Sequence, residues 1–291
     1  MTFKTHMNPL TRIDAFLNKT TMYRLVLYIL LCLYGVSLVF GVFGLISFSV
    51  ISLISTSIII LLLCISFNRL FAHHFAVPTN ADSVYITAFL IYFLLLPPDG
   101  DWSRFVVEVL IVTTVAIGSK YLIVKEKKHI FNPTALGFVA SALILGVSAS
   151  WWVSGDWRLT VLLIAGGILI VRKLRHSDLF FAFLATYLLI TLLVPIFQNG
   201  VFDFTFLKHL ILSPLSFFAF FMLTEPLTTP PGRRLRIVYG AIAGALYGGS
   251  MYAGSLFASP EVVLVLANLF SFAFSPKYRL VLRLIGKRVL A

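Results

Sequence analysis

The 291-residue sequence contains little acidic charge and few charged residues of any kind. Only 11 residues are Asp or Glu, and charged residues make up 12% of the chain against 59% hydrophobic residues. Soluble domains carry roughly a quarter charged residues, so this composition excludes an ordinary soluble protein. The mean hydropathy of +0.98 instead predicts an integral membrane protein whose apolar surface faces lipid.

Several sequence signals are absent. The N-terminal segment has neither the apolar core nor the cleavage site of a signal peptide. Cys32 and Cys64 lie in apolar runs without CxxC spacing, which argues against a disulfide framework or a zinc site and favours packing. There is no glycine-rich dinucleotide fingerprint or P-loop, so NADH would have to be oxidised on another protein.

The apolar segments predict a polytopic helical protein, since about 20 residues cross a bilayer. We expect ten spans: two within 23–66, divided near Gly41 and Gly44, and then 83–97, 105–123, 133–151, 159–171, 179–196, 205–223, 237–254 and 259–275. With a cytoplasmic N-terminus, 20 of the 23 Lys and Arg residues fall on the cytoplasmic side. The net charge of +12 therefore indicates membrane orientation rather than nucleic-acid binding.

This count defines the expected organisation. Residues 1–22 form a cytoplasmic N-terminal segment, 23–275 the transmembrane domain, and 276–291 a basic cytoplasmic tail, in the cytoplasmic (inner) membrane. The tail is either an amphipathic surface segment that docks a reductase or a plain positive-inside tail.

Proline placement suggests an internal repeat. Pro133 follows Pro97 by 36 positions, and Pro260 follows Pro226 by 34. Because "LLPP" then faces outward and "LTEP" inward, we expect two inverted five-helix repeats, about 23–151 and 159–275. Such repeats commonly place a binding site near the bilayer midplane, between interrupted helices.

The stretch "FMLTEPLTTPPGRR" places Glu225 and several threonines against an apolar segment. Prolines interrupt the helix here, and irregular backbone at membrane depth is tolerated where it lines a cavity or is buried in protein. Glu225 therefore either lines a polar pocket or pairs with Arg233 or Arg234 at the interface. The stretch "HIFNPTALG" has similar features, because Asn132 precedes Pro133 where a helix begins; alone, it is typical of an ordinary helix start.

Four sequence pieces resemble one family when they are taken in order. They are "SVYITAFLIYFLLLPP", Lys120 followed by "HIFNPTALGFV", "FFAFFMLTEPLTTP" with "YGAIAGALYG", and "SPEVVLVLANLF". Together they resemble the NqrB/RnfD family, the membrane flavoprotein subunits of the sodium-pumping NADH:quinone oxidoreductase and of the Rnf complex. The resemblance covers about residues 80 to 275.

The resemblance implies a ten-span, urea-transporter-like fold that holds flavin and passes electrons through the membrane. It implies partners as well: a cytoplasmic flavin, NAD(P)H or iron–sulfur reductase and other membrane electron-transport subunits. The residues that it assigns to cofactor binding are Asn132, Pro133, Thr134, Thr224, Glu225, Thr228, Thr229, Thr87, Lys120 and Asn268.

One departure from the family concerns the flavin attachment. The family attaches FMN to a threonine in a Ser/Thr-Gly-Ala-Thr sequence, whereas the corresponding loop here, "GVSASWWVSGDWRL" (146–159), has no such sequence. The expected cofactor is therefore a noncovalent flavin, FMN or riboflavin. This loop contains Trp151, Trp152 and Trp157. We expect these side chains to lie in an aromatic belt at the membrane interface rather than to stack on the flavin.

The sequence leaves other functions open. A small-solute channel or transporter of the same fold is the main alternative, and a scaffold subunit that binds nothing is a further one.

Overall fold

The computed structural model describes residues 9–125, 128–200, 213–253 and 259–275. Its helices are α1 (Pro9–Lys19), α2 (Met22–Val42), α3 (Val50–Phe75), α4 (Ala81–Leu94), α5 (Trp102–Leu122), α6 (Pro133–Leu145), α7 (Trp157–Leu174), α8 (Ser177–Asn199), α9 (Leu215–Phe217), α10 (Arg233–Ala253) and α11 (Pro260–Phe274). A π-helical turn, Phe218–Met222, continues α9, and a 3-10 turn, Trp152–Ser154, precedes α7. Strands β1 (Val124–Lys125) and β2 (Lys128–His129) form one antiparallel pair.

The structure is that of a helical membrane protein. In the described part of the chain, α2, α3, α5 and α8 are long and apolar enough to cross a bilayer. Helices α4, α6 and α11 are apolar but shorter. The hydrophobic composition therefore resides in helices, as the sequence predicted.

Local sequence determines most helix ends. Helix α2 ends at Val42, Gly44 follows with a φ of +63°, and Ser49 caps α3 by accepting a hydrogen bond from the N–H of Ser52. The predicted division of the first apolar block near Gly41 and Gly44 is therefore confirmed. Glycine suits this turn because it adopts positive φ without a steric penalty.

Some helix ends differ from the predicted spans. Helix α6 ends at Leu145 rather than near residue 151, because Gly146 takes a left-handed conformation and caps it. Helix α4 ends at Leu94, three residues before the predicted end, and extended backbone leads into Pro97. Helix α10 begins at Arg233, before the predicted residue 237.

Helices α8 and α10 pack very closely. A Cβ atom added at Gly240 would lie 2.5 Å from the Leu179 carbonyl oxygen, and one added at Gly244 would lie 2.3 Å from that of Phe183. Small residues spaced by four let helix backbones approach each other within a membrane. The stretch "YGAIAGALYG" therefore carries a helix-packing stripe.

A buried aromatic cluster surrounds Trp152. The ring of Trp152 lies 5.5 Å from that of Tyr92 and 5.6 Å from that of Phe93, and its Nε1 donates to the Tyr92 carbonyl at 2.9 Å. Trp151 and Trp152 are both buried, whereas Trp157 is 62% exposed. The belt prediction was therefore wrong for Trp151 and Trp152, because the loop folds inward between α4 and α9.

Parts of the prediction lie outside the described residues. These are residues 1–8 of the N-terminal segment, 205–212 of the 205–223 span, residue 254 of the 237–254 span and the basic tail 276–291.

Candidate functional site

Asn132 begins α6 and connects this helix to a distant turn. Its Oδ1 accepts a hydrogen bond from the N–H of Ala135 at 3.0 Å, while Pro133 occupies the first turn, where no N–H is required. Its Nδ2 donates to Oε2 of Glu225 at 2.9 Å. The predicted Asn-Pro helix start is therefore present, and the same amide both caps α6 and binds the carboxylate.

Glu225 lies in the turn that follows the π-helix. Its Oε1 is 2.8 Å from Nε2 of His129, and its side chain is 20% exposed whereas that of His129 is 9% exposed. Among the described residues, this carboxylate forms no ion pair with Arg233 or Arg234. The alternative of a simple interfacial pair with those arginines is therefore wrong, and the carboxylate faces the start of α6.

Asn268 on α11 brings in a third part of the chain. Its Oδ1 accepts from the backbone N–H of Asn132 at 2.7 Å, and its Nδ2 donates to the Tyr239 hydroxyl at 2.9 Å. Asn268 and Tyr239 are both 0% exposed. Buried amides need such partners to offset desolvation, so this chain of hydrogen bonds fixes α6, α10 and α11 around Glu225.

The threonines of the turn shape its backbone. Thr224 donates its hydroxyl to the Phe220 carbonyl at 2.6 Å, and Thr229 donates to the Glu225 carbonyl at 2.7 Å. Thr228 donates to the same Glu225 carbonyl at 3.3 Å. These hydroxyls donate to carbonyl oxygens in and just before the turn, where Pro226 has no backbone N–H to donate. The hydroxyls predicted to face a ligand therefore donate their protons to backbone carbonyls in and just before the turn that carries Glu225.

Thr134, in the first turn of α6, differs from the other threonines. Its hydroxyl is fully buried and has no hydrogen-bond partner among the described residues. Its neighbour Asn132 carries the Glu225 contact. An unpaired buried hydroxyl is uncommon, so the hydrogen-bonding capacity of Thr134 is unused among the described residues.

Lys120 lies at the C-terminal end of α5 and contacts the start of α4. Its Nζ donates to the carbonyl oxygen of Ser83 at 2.9 Å and to the hydroxyl of Ser83 at 3.0 Å. It lies close enough to Glu225 for the two charges to interact. Thr87 donates to the same Ser83 carbonyl at 2.9 Å, so it supports Ser83 and makes no described contact with Glu225.

The sequence pattern did not indicate His129, Ser83 or Tyr239 as members of this cluster. His129 opens the stretch "HIFNPTALG", three positions before Asn132, but that stretch predicted only a helix start. The pairing of Val124 with His129 in the β-hairpin fixes its position. Strands of two residues leave no periodic signal, so the sequence pattern did not indicate this contact.

Apart from Pro133 and Thr134, the predicted site residues separate into two groups. Asn132, Glu225 and Asn268 form one connected hydrogen-bond chain, with Lys120 within electrostatic range. The turn threonines and Thr87 bond to backbone nearby. A partly exposed carboxylate between a histidine and an amide, with an ammonium group close by, can bind a polar ligand that both donates and accepts hydrogen bonds.

A second polar contact connects the start of α11 with the loop that follows α6. Glu261, in the first turn of α11, is 1% exposed, and its Oε1 accepts from the backbone N–H of Ala149 at 2.8 Å. The neighbouring Ser150 donates its backbone N–H to the carbonyl of Leu94, at the end of α4, at 2.7 Å. The loop without the flavin-attachment sequence is therefore tied to α4 and α11.

Comparison with known proteins supports the family resemblance. Residues 140–276 match the model of the NQR2, RnfD, RnfE family. No curated protein matches the chain. The matched region contains the Glu225 turn, the glycine stripe of α10 and Asn268, and the Asn132 helix start lies just before it. Over this region the chain is similar to the NQR2, RnfD, RnfE family, and the match supports an NqrB/RnfD-like membrane subunit.

Proposed function

We propose that this membrane subunit holds a noncovalent flavin, FMN or riboflavin, and relays electrons between a cytoplasmic reductase and an acceptor in or beyond the membrane. The observation that carries the proposal is the hydrogen-bond chain from Glu225 through Asn132 to Asn268. These residues come from three of the four family-like sequence pieces, and 93 and 136 positions separate the bonded pairs.

The groups in this cluster suit a flavin. An isoalloxazine ring presents carbonyl oxygens and ring nitrogens, which need donors and acceptors in the same pocket. The unpartnered hydroxyl of Thr134 and the partly exposed carboxylate of Glu225 can supply them. Lys120 adds a cation close to Glu225, and positive charge near a flavin favours its reduced form.

The bound flavin would supply the redox chemistry, while the protein positions it and tunes its potential. Asn132 and Glu225 would orient the ring, because each is itself held by a second contact, to Ala135 and His129 respectively. Tyr239 and Asn268 would keep the helix starts rigid behind the ring.

We also propose ten spans in two inverted repeats, about 23–151 and 159–275, with a urea-transporter-like arrangement. In this count α2 to α6 are the first five spans, α7 and α8 are the sixth and seventh, the span that ends in α9 and its π-turn is the eighth, and α10 and α11 are the last two. The described helix contacts recur between the halves: α3 packs on α5 as α8 packs on α10, and α5 packs on α6 as α10 packs on α11. Likewise α2 packs on α4 as α7 packs on α9.

The two ends of the molecule support the same repeat. At one end, the start of α6 meets the turn after the π-helix through Asn132 and Glu225. At the other, the start of α11 meets the loop bonded to the end of α4, through Glu261 and Ala149. Inverted repeats place such broken-helix ends on opposite sides of the bilayer.

The orientation follows from charge. With both termini in the cytoplasm, the clusters around Lys128 and Arg234 fall inside and Asp99 falls outside, as the positive-inside rule favours. The flavin cluster would then lie near the cytoplasmic side. That position suits electron entry from a cytoplasmic flavin, NAD(P)H or iron–sulfur reductase, with other membrane subunits alongside.

The decisive experiment is an absorption spectrum of the protein purified from cells supplied with riboflavin. We expect a flavin band in the blue that bleaches with dithionite, and we expect mild acid to release the pigment into the supernatant. Flavin that stays on a peptide of loop 146–159 would contradict noncovalent binding. A colourless protein that conducts a small solute in liposomes would contradict the electron-transfer proposal and favour the channel alternative.

A further inference from the structure

Helix α1 has an apolar side that only partly packs on the rest of the protein. Leu17 is 3% exposed and lies in the core. Ile13 and Phe16, which lie beside it on the helix surface, are 37% and 53% exposed. Residues three and four apart share one face of a helix. An exposed apolar stripe, Ile13 and Phe16, therefore lies beside the buried Leu17 on α1.

Polar contacts hold α1 against the end of α7. Arg172 donates to both carboxylate oxygens of Asp14, at 2.8 and 2.9 Å. Lys173 donates through its Nζ to the carbonyl oxygen of Leu17. These contacts fix the rotation of α1 about its own axis, so Ile13 and Phe16 keep a constant direction beside Leu17.

The position of α1 in the chain places it at a membrane surface. It ends at Lys19, and the apolar helix α2 begins at Met22, with Thr21 as its N-cap. Two connecting residues cannot carry α1 far from the end of α2, since an extended residue spans at most about 3.6 Å. An amphipathic helix in this position lies in the interface with its apolar side toward the acyl chains.

The charges around α1 favour anionic lipid. Arg12 and Lys19 are exposed on α1, next to the apolar stripe, and exposed Arg175 lies nearby in the chain, just after α7. Arg24, at the start of α2, is exposed as well but lies 4.0 Å from the Asp82 carboxylate. Asp14, the acid of this helix, is already paired with Arg172. Phosphate groups of anionic phospholipids would neutralise such a basic rim.

We propose that α1 is an interfacial helix that docks on anionic phospholipid headgroups, with Ile13 and Phe16 inserted at the acyl boundary and Arg12 and Lys19 at the phosphates. This surface is independent of the Glu225 cluster. A partner protein seated on the same stripe is the alternative that the experiment must exclude.

Spin labels on the full-length protein test this directly. In a background with Cys32→Ser and Cys64→Ala, single cysteines at positions 13, 15, 16, 17 and 18 carry a nitroxide, in nanodiscs of phosphatidylcholine with or without phosphatidylglycerol. Collisions with oxygen report lipid, and collisions with a water-soluble nickel chelate report solvent. Positions 13 and 16 should favour oxygen, positions 15 and 18 nickel, and position 17 should be shielded from both.

The lipid dependence separates charge from apolar insertion. Phosphatidylglycerol should place the label at position 16 deeper in the bilayer. The double substitution Arg12→Gln with Lys19→Gln should reverse this. We expect each lost charge to lower the ratio of membrane-inserted to uninserted α1 by about fivefold. Nickel access at position 16 equal to that at position 18 would overturn the proposal. So would shielding of position 16 from both reagents, which indicates a protein contact, or a depth that ignores anionic lipid.

Discussion

Oε2 of Glu225 accepts a hydrogen bond from Nδ2 of Asn132 at 2.9 Å, although 93 positions separate the two residues. Each residue lies where a helix is interrupted next to a proline, Pro226 after the π-helical turn and Pro133 at the start of α6. The two interruptions therefore meet each other. This contact between two broken helices is the centre of the proposed flavin site.

Loss of either side chain should reduce flavin content. In the proposed site, Glu225→Ala and Asn132→Ala each remove a side chain that hydrogen-bonds the flavin ring. A hydrogen bond to a charged group is worth about 1.5–3 kcal/mol, which is about ten- to a hundredfold in flavin affinity. The flavin-to-protein ratio of each purified variant is the measurement. Asp14→Ala is the control, because this carboxylate pairs with Arg172 outside the cluster. Equal ratios in all variants and the parent would remove these two residues from the site.

The glycine stripe of α10 should not tolerate a methyl group. Gly244→Ala places a Cβ 2.3 Å from the Phe183 carbonyl oxygen, so α8 and α10 must separate at a cost of about 1–3 kcal/mol. We expect a lower thermal unfolding midpoint in detergent. Gly249→Ala is the matched control on the same helix, since a Cβ there has no neighbour within 4 Å. Equal midpoints for the two variants would contradict the close packing.

His176 should make stability depend on pH. Burial, followed by the positive charge of Arg236, lowers its pKa below the ordinary value of 6.5. The folded state therefore favours the neutral imidazole. The contribution of the neutral His176 imidazole to the free energy of unfolding is complete above pH 6.5. This contribution is lost as the pH falls through the depressed pKa of the folded state.

The measurement is the unfolding midpoint from about pH 7.5 down to about pH 5, across the range in which histidine titrates. His176→Gln, which cannot titrate, should show a shallower fall than the parent. Parallel curves for parent and variant would exclude His176 as a source of the pH dependence.

The proposed orientation predicts which sites a membrane-impermeant thiol reagent can reach. With Cys32 replaced by serine, cysteines at Lys128 and Arg234 should react only after the membrane is opened, and one at Asp99 should react in intact cells. All three residues are exposed. Labelling of Lys128→Cys from outside would invert the topology, and labelling of both Lys128→Cys and Asp99→Cys from outside would break the ten-span count.

The sequence was most informative where the physics is local. Hydropathy located the helices because every backbone polar group in a bilayer must be satisfied internally. Asn132 before Pro133 predicted a helix start, since the amide cap and the missing proline N–H act within one turn. Gly44 marked the turn between α2 and α3 through its positive φ.

Only the tertiary structure decided what the buried polar groups contact. Nothing in the sequence around Glu225 distinguishes His129 and Asn132 from Arg233 as its partner, yet the fold brings the first two to the carboxylate. It also turns the hydroxyls of Thr224 and Thr229 into their own turn and buries Trp151 and Trp152 in the core. Composition and local pattern determine which segments become helices. The contacts between those helices depend on how distant backbones pack, as at Gly240 and Gly244, and that packing positions the site.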